Sequence, residues 1–548
     1  MTPAARIAAA IELLAEVEAA PRRPADAAAN NFFRTRRFIG AGDRRAVSER
    51  AWGVLRARRR LGWWLAGPGA EGHSRASQSG SAIPSAATSD AITCGTVTLN
   101  RGTSDTVILD TVTSEMGASD AGTSDTGAAD KGMSETGTPD TDASGTDRPG
   151  RGAPNQGILD RRTRDPTTPG PATPRTLVAA ALLFDGWTPS GISQAFSGGK
   201  FGAAPLTPAE QAALAPLVGH TLDHPAMPDA VRLEVPDWVL PRLIARFGPS
   251  LGAELGALLE PAPLDMRANL LKTTREEARA ALAAEGFEAV PTPLSPWGLR
   301  LPGRRPITAG AAFQSGLVEI QDEGSQLVAL LTDARPGMRV ADLCAGAGGK
   351  SLALAVTMGN RGHIAACDVS APRLDAAVRR FRRAGAHNIE RHLLGPGDKW
   401  LKRHAGDFDR VLVDAPCTGT GTWRRNPDAR GRLTETDLAE LLVRQADLLD
   451  NAAPLVRKGG RLVYATCSLF PEENEGQVYA FLARHAGFKL VPLARAWPRR
   501  APPEDAPHGT TPVAPPDPTP FGGGEMLVLT PRQHGTDGFF AGVLERVT

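Results

Sequence analysis

The sequence of 548 residues contains few cysteines and no long apolar run. Its five cysteines show no paired close spacing, which argues against a zinc site and a disulfide framework and favours a reducing compartment. No stretch approaches the roughly 20 apolar residues of a membrane span. The first residues also lack the charged-then-apolar order of a secretion signal. We therefore expect a cytoplasmic protein without a membrane partner and without a bound metal.

The sequence also lacks a predominant sign of charge. Lys and Arg total 62 against 60 Asp and Glu, and this balance by itself indicates no class of partner. A chain of this length is expected to form roughly two to four domains, so charge has to be considered segment by segment.

The first segment, residues 1–67, has the apolar spacing of a small helical unit. Ile7, Ile11 and Leu14 recur at helical intervals. Arginines are interleaved with aromatic residues in this segment: Arg34, Arg36, Arg37, Arg44, Arg45, Arg56, Arg58, Arg59 and Arg60 with Phe32, Phe33, Phe38, Trp52, Trp63 and Trp64. This pattern is typical of a surface that binds a polyanion, and equally typical of a solvated basic face over an aromatic core.

Residues 68–174 have a different composition, dominated by Gly, Ser, Thr, Ala, Pro and Asp. Such a segment cannot bury enough apolar surface to offset the entropy of ordering the chain, so we predict disorder. An acidic residue recurs at every fifth position from Asp105 to Asp140. Because the repeat lacks a regular large apolar residue to stack inside a coil, a low-complexity insert is favoured over a solenoid.

Helical patterning resumes over residues 175–260. The insert is therefore predicted to interrupt one helical domain rather than to separate two, since insertions at exposed loops cost little. Residues 261–335 follow, with a strand at 266–271, a helix at 275–285 and a strand at 287–290. This order predicts a small α+β subdomain.

The last segment, residues 336–548, begins with a strand, a glycine turn and a helix. The turn consists of Ala345, Gly346, Ala347, Gly348 and Gly349. Glycines let the backbone approach a ligand closely, and the start of a helix offers free amide groups, so a nucleotide-like cofactor is expected here. The turn alone is weak support, because it does not match the Gly-x-Gly-x-x-Gly fingerprint.

Asp368 ends the next predicted strand, residues 363–368. It lies about 20 residues beyond the glycines, the distance at which an acid reaches the ribose hydroxyls of a cofactor in doubly wound folds. The alternative is a helix cap, a role that Ser370 could share. The glycine turn and Asp368 together favour cofactor binding.

Cys417 and Cys467 each follow a predicted strand, the third (residues 408–414) and the fourth (residues 461–466) of this segment. The carboxyl ends of strands in an open α/β sheet face the ligand crevice, so we expect both thiols to face one pocket. Buried cysteines are usually inert small apolar residues, and that interpretation suits Cys344 and Cys367 better.

Three motifs of this segment are distinctive in combination. They are Asp342-Leu-Cys-Ala-Gly-Ala-Gly-Gly-Lys350, Asp414-Ala-Pro-Cys-Thr-Gly-Thr-Gly421 and Tyr464-Ala-Thr-Cys-Ser468, accompanied by residues 320–326, Pro471-Glu-Glu-Asn474 and Asp537-Gly-Phe-Phe540. Over roughly residues 261–548 the chain thereby resembles the RsmB/Sun family of RNA cytosine-5 methyltransferases. The resemblance implies a Rossmann-like class I methyltransferase domain, and the first helices more loosely resemble the NusB-like RNA-binding domain of some members.

The resemblance further implies methylation of cytosine at C5 by S-adenosylmethionine. Because C5 is too weak a nucleophile to take a methyl group unaided, a thiolate first adds to C6. By resemblance Cys467 is that thiolate, and Cys417 helps to resolve the covalent intermediate. Asp414 then holds the cytosine amino edge, with Lys350 as its charge partner. The implied cofactor-binding residues are Cys344, Ala345, Gly346, Ala347, Gly348, Gly349, Lys350, Asp368 and Asp414.

The chain departs from the family pattern at two positions. Ala347 stands where many relatives have proline, a mild change that should preserve the turn. Many relatives also carry a further acidic cofactor residue ahead of Asp414, and Asp398 is the nearest candidate, at an irregular spacing that leaves it outside the predicted site. The basic run after the Pro-Cys motif, made of Arg424, Arg425, Arg430 and Arg432, is predicted either to contact RNA or to form a solvated loop.

A cytosine stacked in a helix is out of reach of a thiol, so structured RNA with an exposed cytosine is the expected substrate. The resemblance favours 16S ribosomal RNA over transfer RNA, and a monomer is expected. A DNA cytosine-5 methyltransferase would attack with the Pro-Cys thiol and would not need Cys467. A non-catalytic NusB-like RNA-binding or regulatory protein would have no reason to combine both thiols with the glycine turn and Asp368.

Overall fold

The computed structural model describes residues 1–67 apart from 22, residues 172–498 apart from 304 and 396, and residues 524–548. The predicted insert and its acidic repeat lie outside these described residues up to position 171. Among the described residues, no helix is both long enough and apolar enough to cross a membrane.

Helices dominate the described residues before position 260. They are α1 (Pro3–Ala19), α2 (Ala25–Thr35), α3 (Ala41–Arg56), α4 (Arg58–Ala66), α5 (Pro174–Phe184), α6 (Pro189–Ala195), α7 (Pro208–Leu214), α8 (Asp229–Arg232), α9 (Leu240–Phe247) and α10 (Leu251–Leu259). A threonine followed by proline begins several of them. Thr173 and Thr207, for example, accept hydrogen bonds from backbone amides of α5 and α7, which satisfies donors that a helix start leaves unpaired.

One hydrophobic core joins helices from both sides of the insert. Leu13 and Trp64 pack in the same cluster as Leu177 and Leu182, and α5 contacts α1, α3 and α4. The later helices α9 and α10 belong to another cluster, in which they pack against residues that follow position 420. The helical residues before position 260 therefore divide between two cores.

A small antiparallel sheet follows, with strand order β2-β3-β1-β4. Its elements are β1 (Leu264–Ala268), α11 (Arg275–Ala284), β2 (Val290–Pro291), β3 (Gly298–Leu301), α12 (Ala311–Gln314) and β4 (Val318–Ile320). Helix α11 begins with a capping box in which the side chains of Thr274 and Glu277 bond each other's backbone amides. Beyond the predicted strand, helix and strand, the sheet contains β3 and β4, which the sequence pattern did not indicate.

The large sheet has strand order β10-β12-β9-β8-β5-β6-β7, with β11 paired to β12. Its strands are β5 (Arg339–Asp342), β6 (His363–Asp368), β7 (Ile389–Leu393), β8 (Phe408–Asp414), β9 (Val456–Thr466), β10 (Phe488–Leu490), β11 (Leu527–Leu529) and β12 (Phe539–Arg546). The helices are α13 (Glu323–Leu331), α14 (Gly349–Met358), α15 (Ala371–Ala384), α16 (Trp400–Arg403), α17 (Ala429–Arg432), α18 (Glu435–Ala452), α19 (Glu475–Arg484), α20 (Leu493–Ala496) and α21 (Pro531–His534). Strands β5 to β9 pair in parallel, and β12 pairs antiparallel with β9 and β10.

Both faces of the large sheet are covered. Successive residues of β8 alternate between two cores, with Val411 and Val413 in one and Leu412 in the other. From β5 the chain winds outward through β6 and β7 and returns to the other side of β5 as β8 and β9. Ligands of doubly wound sheets bind beyond the carboxyl ends of the strands at this switch point.

Candidate active site

The turn between β5 and α14 is shaped by two glycines in left-handed conformations. Gly346 has φ +55° and Gly348 has φ +84°, values that side-chain-bearing residues rarely adopt. A Cβ on Gly348 would also overlap the Phe381 ring of α15. The start of α14, with its free amide groups, is therefore held at the carboxyl edge of the sheet.

Asp368 lies beside this turn at the end of β6. Its carboxylate accepts hydrogen bonds of 2.8 Å from the Gly346 amide and from the Ser370 amide. The Ser370 side chain makes no capping bond to α15. A carboxylate has about four acceptor positions, so Asp368 keeps acceptor capacity for further hydroxyl donors after binding both amides.

Three other titratable groups under the turn have raised pKa values. Asp342, at the end of β5, accepts a 2.7 Å hydrogen bond from the Ser351 hydroxyl, and burial raises the pKa of Asp342 to about 7. Burial likewise raises the pKa of both Cys344 and Cys367. Neutral thiols of this kind are poor nucleophiles, which fits the interpretation of both cysteines as packing residues.

Lys350 and Asp414 form an ion pair across the carboxyl edge. The Lys350 Nζ lies 2.6 Å from Asp414 Oδ2, with the lysine side chain 6% exposed and the aspartate side chain 21% exposed. The ammonium group also lies 5.4 Å from the centroid of the Phe539 ring. This charge-assisted hydrogen bond fixes the Asp414 carboxylate at the end of β8.

Cys417 and Cys467 bring their sulfur atoms to within 3.5 Å of each other. Cys417 is buried and Cys467 is half-buried, so the latter is the more accessible thiol. The hydrogen bond with Cys467, followed by burial, raises the pKa of Cys417 well above its usual range. The backbone joins the same two loops, because the Gly421 amide donates to the Cys467 carbonyl at 2.9 Å.

Sequence reasoning assigned no role to Glu473, which contacts both thiol-bearing loops, or to Asn474, which contacts the loop of Cys467. Glu473 accepts a hydrogen bond of 2.9 Å from the Thr418 amide. Asn474 donates to the Ser468 carbonyl at 2.9 Å. The available signal was the motif that ends in these two residues, but its position shortly after Cys467 did not show which atoms it would contact.

The predictions for Arg424 and Arg425 were both wrong. Arg424 is an ion-pair partner of Asp537, while Arg425 pairs with Asp537 and lies 2.7 Å from Asp322. All four side chains are at most 15% exposed. The two arginines are therefore neither solvated nor open to RNA. Burial, followed by the charge of Asp537, raises the pKa of Asp322 to about 6.

The rest of the basic run connects the helices to the large sheet domain. Arg430 donates to the Leu258 carbonyl of α10 at 2.7 Å. Arg432 pairs with Asp428 at 2.9 Å, and the Asp428 carboxylate accepts from the Ala25 amide at 3.1 Å. These arginines therefore hold parts of the protein together.

Asp398 contacts residues of β7 and α16. It lies 2.5 Å from Nε2 of His392 and accepts a 2.9 Å hydrogen bond from the Trp400 amide. The bond to His392 lowers the pKa of Asp398. These contacts, with a residue of β7 and with the first residue of a short helix, explain its position by local structure.

Many arginines of the first helices are paired with acids. The pairs are Arg36 with Glu12 and Glu16, Arg45 with Glu49, Arg50 with Asp185, Arg58 with Glu18, Arg59 with Asp237, and Arg60 with Asp223 and Glu234. Pairing of this kind cancels much of the positive field that the sequence suggested for this segment.

The strand order, with antiparallel β12 between β9 and β10, and the glycine turn after β5 define a Rossmann-like class I methyltransferase fold. The family model of 16S rRNA methyltransferase RsmB/F matches residues 329–545, and that of the RsmF/B-like ferredoxin-like domain matches residues 235–308. The protein belongs to the RsmB/F family. The second match begins within the segment that the sequence analysis assigned to the helical domain.

Curated relatives carry the same family name. The probable ribosomal RNA small subunit methyltransferase B of Synechocystis is 36% identical over 316 residues, 57% of this chain and 66% of that protein. The corresponding Bacillus subtilis protein is 31% identical over 321 residues, 58% of this chain and 68% of that protein. Ribosomal RNA small subunit methyltransferase B of Photorhabdus laumondii is 33% identical over 259 residues, 47% of this chain.

The chain spans 66% of the Synechocystis protein and 59% of the Photorhabdus protein. Among solved structures, that of the protein PH0851 matches with a TM-score of 0.64 and 22% identity, covering 100% of this chain and 99% of that one. At this identity the match supports the fold.

Proposed function

We propose that this protein methylates cytosine at C5 in RNA, with S-adenosylmethionine as the methyl donor. The observation that carries the proposal is the contact between Cys417 and Cys467, whose sulfur atoms are 3.5 Å apart at the ends of two parallel strands. A single thiol would suffice for covalent addition to a base. Two thiols in direct contact support a reaction in which addition and release use separate groups.

The glycine turn and Asp368 fit S-adenosylmethionine. Gly346 and Gly348 keep side chains out of the turn, and the Asp368 carboxylate retains acceptor positions that suit ribose hydroxyls. Residues from Cys344 to Lys350 would surround the bound molecule. When bound, S-adenosylmethionine supplies an electrophilic methyl group.

Cys467 supplies the attacking thiolate in this proposal. It is more accessible than Cys417, so an extruded cytosine can reach its sulfur atom. The sulfur forms a bond to C6, and the electron pair of the C5–C6 double bond makes C5 nucleophilic. Asp414, held by Lys350 at 2.6 Å, accepts a hydrogen bond from the cytosine amino group and orients the ring.

Cys417 acts at the release step. Its raised pKa keeps the thiol protonated near neutral pH. Once C5 carries the methyl group, the C5 proton passes to solvent water, its electron pair restores the C5–C6 double bond, and the bond between C6 and the Cys467 sulfur breaks to release the thiolate. The neutral Cys417 thiol, 3.5 Å from that sulfur, can donate a hydrogen bond to the departing thiolate.

We propose 16S ribosomal RNA as the substrate. The family model and the relatives above are named for methylation of small-subunit ribosomal RNA, and these names favour it over transfer RNA. The target base has to lie in a loop or be extruded from a helix, because C6 is inaccessible within a stack.

Transfer of radiolabelled methyl groups tests the proposal. Purified protein and labelled S-adenosylmethionine would be incubated with total RNA from cells that lack the protein, and Cys467→Ala would serve as the control. We expect label in 16S RNA with the wild type, none with the variant, and equal S-adenosylmethionine binding by calorimetry. Undiminished transfer by Cys467→Ala would exclude this nucleophile.

A further inference from the structure

Glu473 is a buried carboxylate between the two thiol-bearing loops. It is 0% exposed. One carboxylate oxygen accepts hydrogen bonds of 2.9 Å from the Thr418 amide and from the Gln445 side chain. The other accepts from the Thr418 hydroxyl at 2.5 Å and from the Ser468 hydroxyl. All four donors are uncharged.

The two hydroxyl donors come from the residues that directly follow the two thiols in sequence. Thr418 follows Cys417 at the end of β8, and Ser468 follows Cys467 at the end of β9. One carboxylate oxygen of Glu473 therefore connects the two loops across their gap. A carboxylate accepts from all four donors as they stand, whereas an amide would turn N–H groups towards the two hydroxyls and force them to accept instead of donate.

A buried carboxylate without a cation is unfavourable for stability. Burial raises the pKa of Glu473, and the four hydrogen bonds oppose that shift. Its charge also adds to the increase in the pKa of Cys417, after the hydrogen bond with Cys467, burial and the charge of Cys467. A role in the reaction would account for a group whose burial is this costly.

We propose that Glu473 is a positioning residue that holds the Cys417 and Cys467 thiols in contact by accepting hydrogen bonds from Thr418 and Ser468. This inference deepens the proposed function and rests on it for its catalytic consequence. The geometric part can be tested without any RNA.

Oxidation by diamide measures the contact between the thiols. The two thiols lose two electrons and two protons to form one disulfide, while the N=N bond of diamide is reduced to the hydrazine. Wild-type protein should form the Cys417–Cys467 disulfide readily, as seen by peptide mass spectrometry. Glu473→Gln should slow its formation by about tenfold or more, since misplacement by about 1 Å disrupts reactive geometry.

Methyl transfer provides the second readout. For Glu473→Gln we expect kcat to fall by about tenfold or more, with S-adenosylmethionine binding within about twofold of the wild type. The matched control is Glu472→Gln, the same substitution at a half-exposed neighbour that pairs with Arg242, and both rates should stay at wild-type values. Wild-type disulfide and methylation rates in folded Glu473→Gln would overturn the inference.

Ser468→Ala covers the case in which Glu473→Gln does not fold. It removes one hydroxyl donor and leaves the carboxylate with three, so a smaller slowing of disulfide formation, of about threefold, is expected. An unchanged disulfide rate in this variant would also count against the inference. If Glu473→Gln slows the disulfide and no RNA is methylated even by the wild type, positioning stands and the proposed function fails.

Discussion

Individual contacts at the carboxyl edge determine which side chains carry charge. Lys350 and Asp414 lie 2.6 Å apart as an ion pair, whereas Cys417 is enclosed beside Cys467 and keeps its proton because its pKa is raised. The proposed nucleophile therefore lies next to a neutral thiol. Both cysteines follow parallel strands, but Cys417 is buried and Cys467 is half-buried.

Replacing Cys417 should trap the reaction. In Cys417→Ala, Cys467 can still add to C6, but the hydrogen bond that assists its departure is lost. We expect a covalent protein–RNA complex that migrates slowly on a denaturing gel and disappears after nuclease treatment. The double variant Cys417→Ala, Cys467→Ala should show no such band, and a band that persists in it would exclude Cys467 as the attached residue.

Asp342 should make stability depend on pH. Its pKa rises from 3.8 to about 7 in the folded chain, so its contribution to stability is fully present below the unfolded pKa and is lost as pH rises through 7. Asp342→Asn mimics the neutral form at every pH, whereas wild type loses stability as Asp342 ionises. The melting temperature of Asp342→Asn relative to wild type should therefore increase between about pH 5 and about pH 8.

Thermal melts of the full chain at both pH values provide the measurement. Asp375→Asn is the matched control, since that side chain is 77% exposed and pairs with Arg391 at the surface. A constant difference between Asp342→Asn and wild type at both pH values would show that Asp342 is already ionised at the lower one.

At the scale of secondary structure, the junction between β5 and α14 places the cofactor turn. Gly348→Ala should destabilise the folded protein in two ways, by a strained φ and by overlap with Phe381. Together these should lower the free energy of unfolding by about 2–4 kcal/mol. Gly359→Ala, at the far end of α14, is the control, because its φ is +56° but no atom lies within 4 Å of the added Cβ.

We expect Gly348→Ala to melt several degrees below Gly359→Ala and to bind S-adenosylmethionine much more weakly by calorimetry. Equal melting temperatures and equal affinities for the two variants would show that the close approach to Phe381 does not shape the turn.

The strands that carry the site could be predicted closely from sequence. Predicted strands at 363–368 and 408–414 coincide with β6 and β8, because parallel strands buried on both faces appear as short apolar runs. Strands β10 and β11 could not be predicted in this way. Each has three residues, too few to show a periodicity, and each is defined by its pairing with β12.

The partners of buried charges were also beyond sequence reasoning. Arg425 and Asp537 are 112 residues apart in the chain, and the basic run around Arg425 has the composition of an exposed loop. Contact between the two thiols was predictable, because the carboxyl ends of adjacent parallel strands meet at one edge of a sheet. Glu473 was not, since it follows Cys467 outside any strand.

At the scale of the whole molecule, the helices and the methyltransferase domain form shared contacts. Val239, Leu243 and Leu255 pack with Trp423 and Phe470 in one hydrophobic cluster. The Pro-Cys loop region is therefore supported from the helical side. A displaced helical unit would be expected to disturb the loop that carries Cys417.

Residues 68–171 should be dispensable for this assembly. Among the described residues, side chains on both sides of that range, such as Leu14 and Leu177, already pack together in one core. Replacing the range by a Gly/Ser linker of about 15 residues should leave a cooperative thermal melt and a methylation rate within about twofold of wild type. Loss of the cooperative transition would show that the replaced range contributes to folding.

RNA cytosine-5 methylation by Cys467 can be measured directly in cells. 5-Methylcytosine would be mapped at base resolution in small-subunit ribosomal RNA from cells without the protein, complemented with either wild type or Cys467→Ala. We predict one cytosine that is methylated with the wild type and unmethylated both in the deletion and with Cys467→Ala. Identical maps for the wild type and Cys467→Ala would show that Cys467 is not the nucleophile.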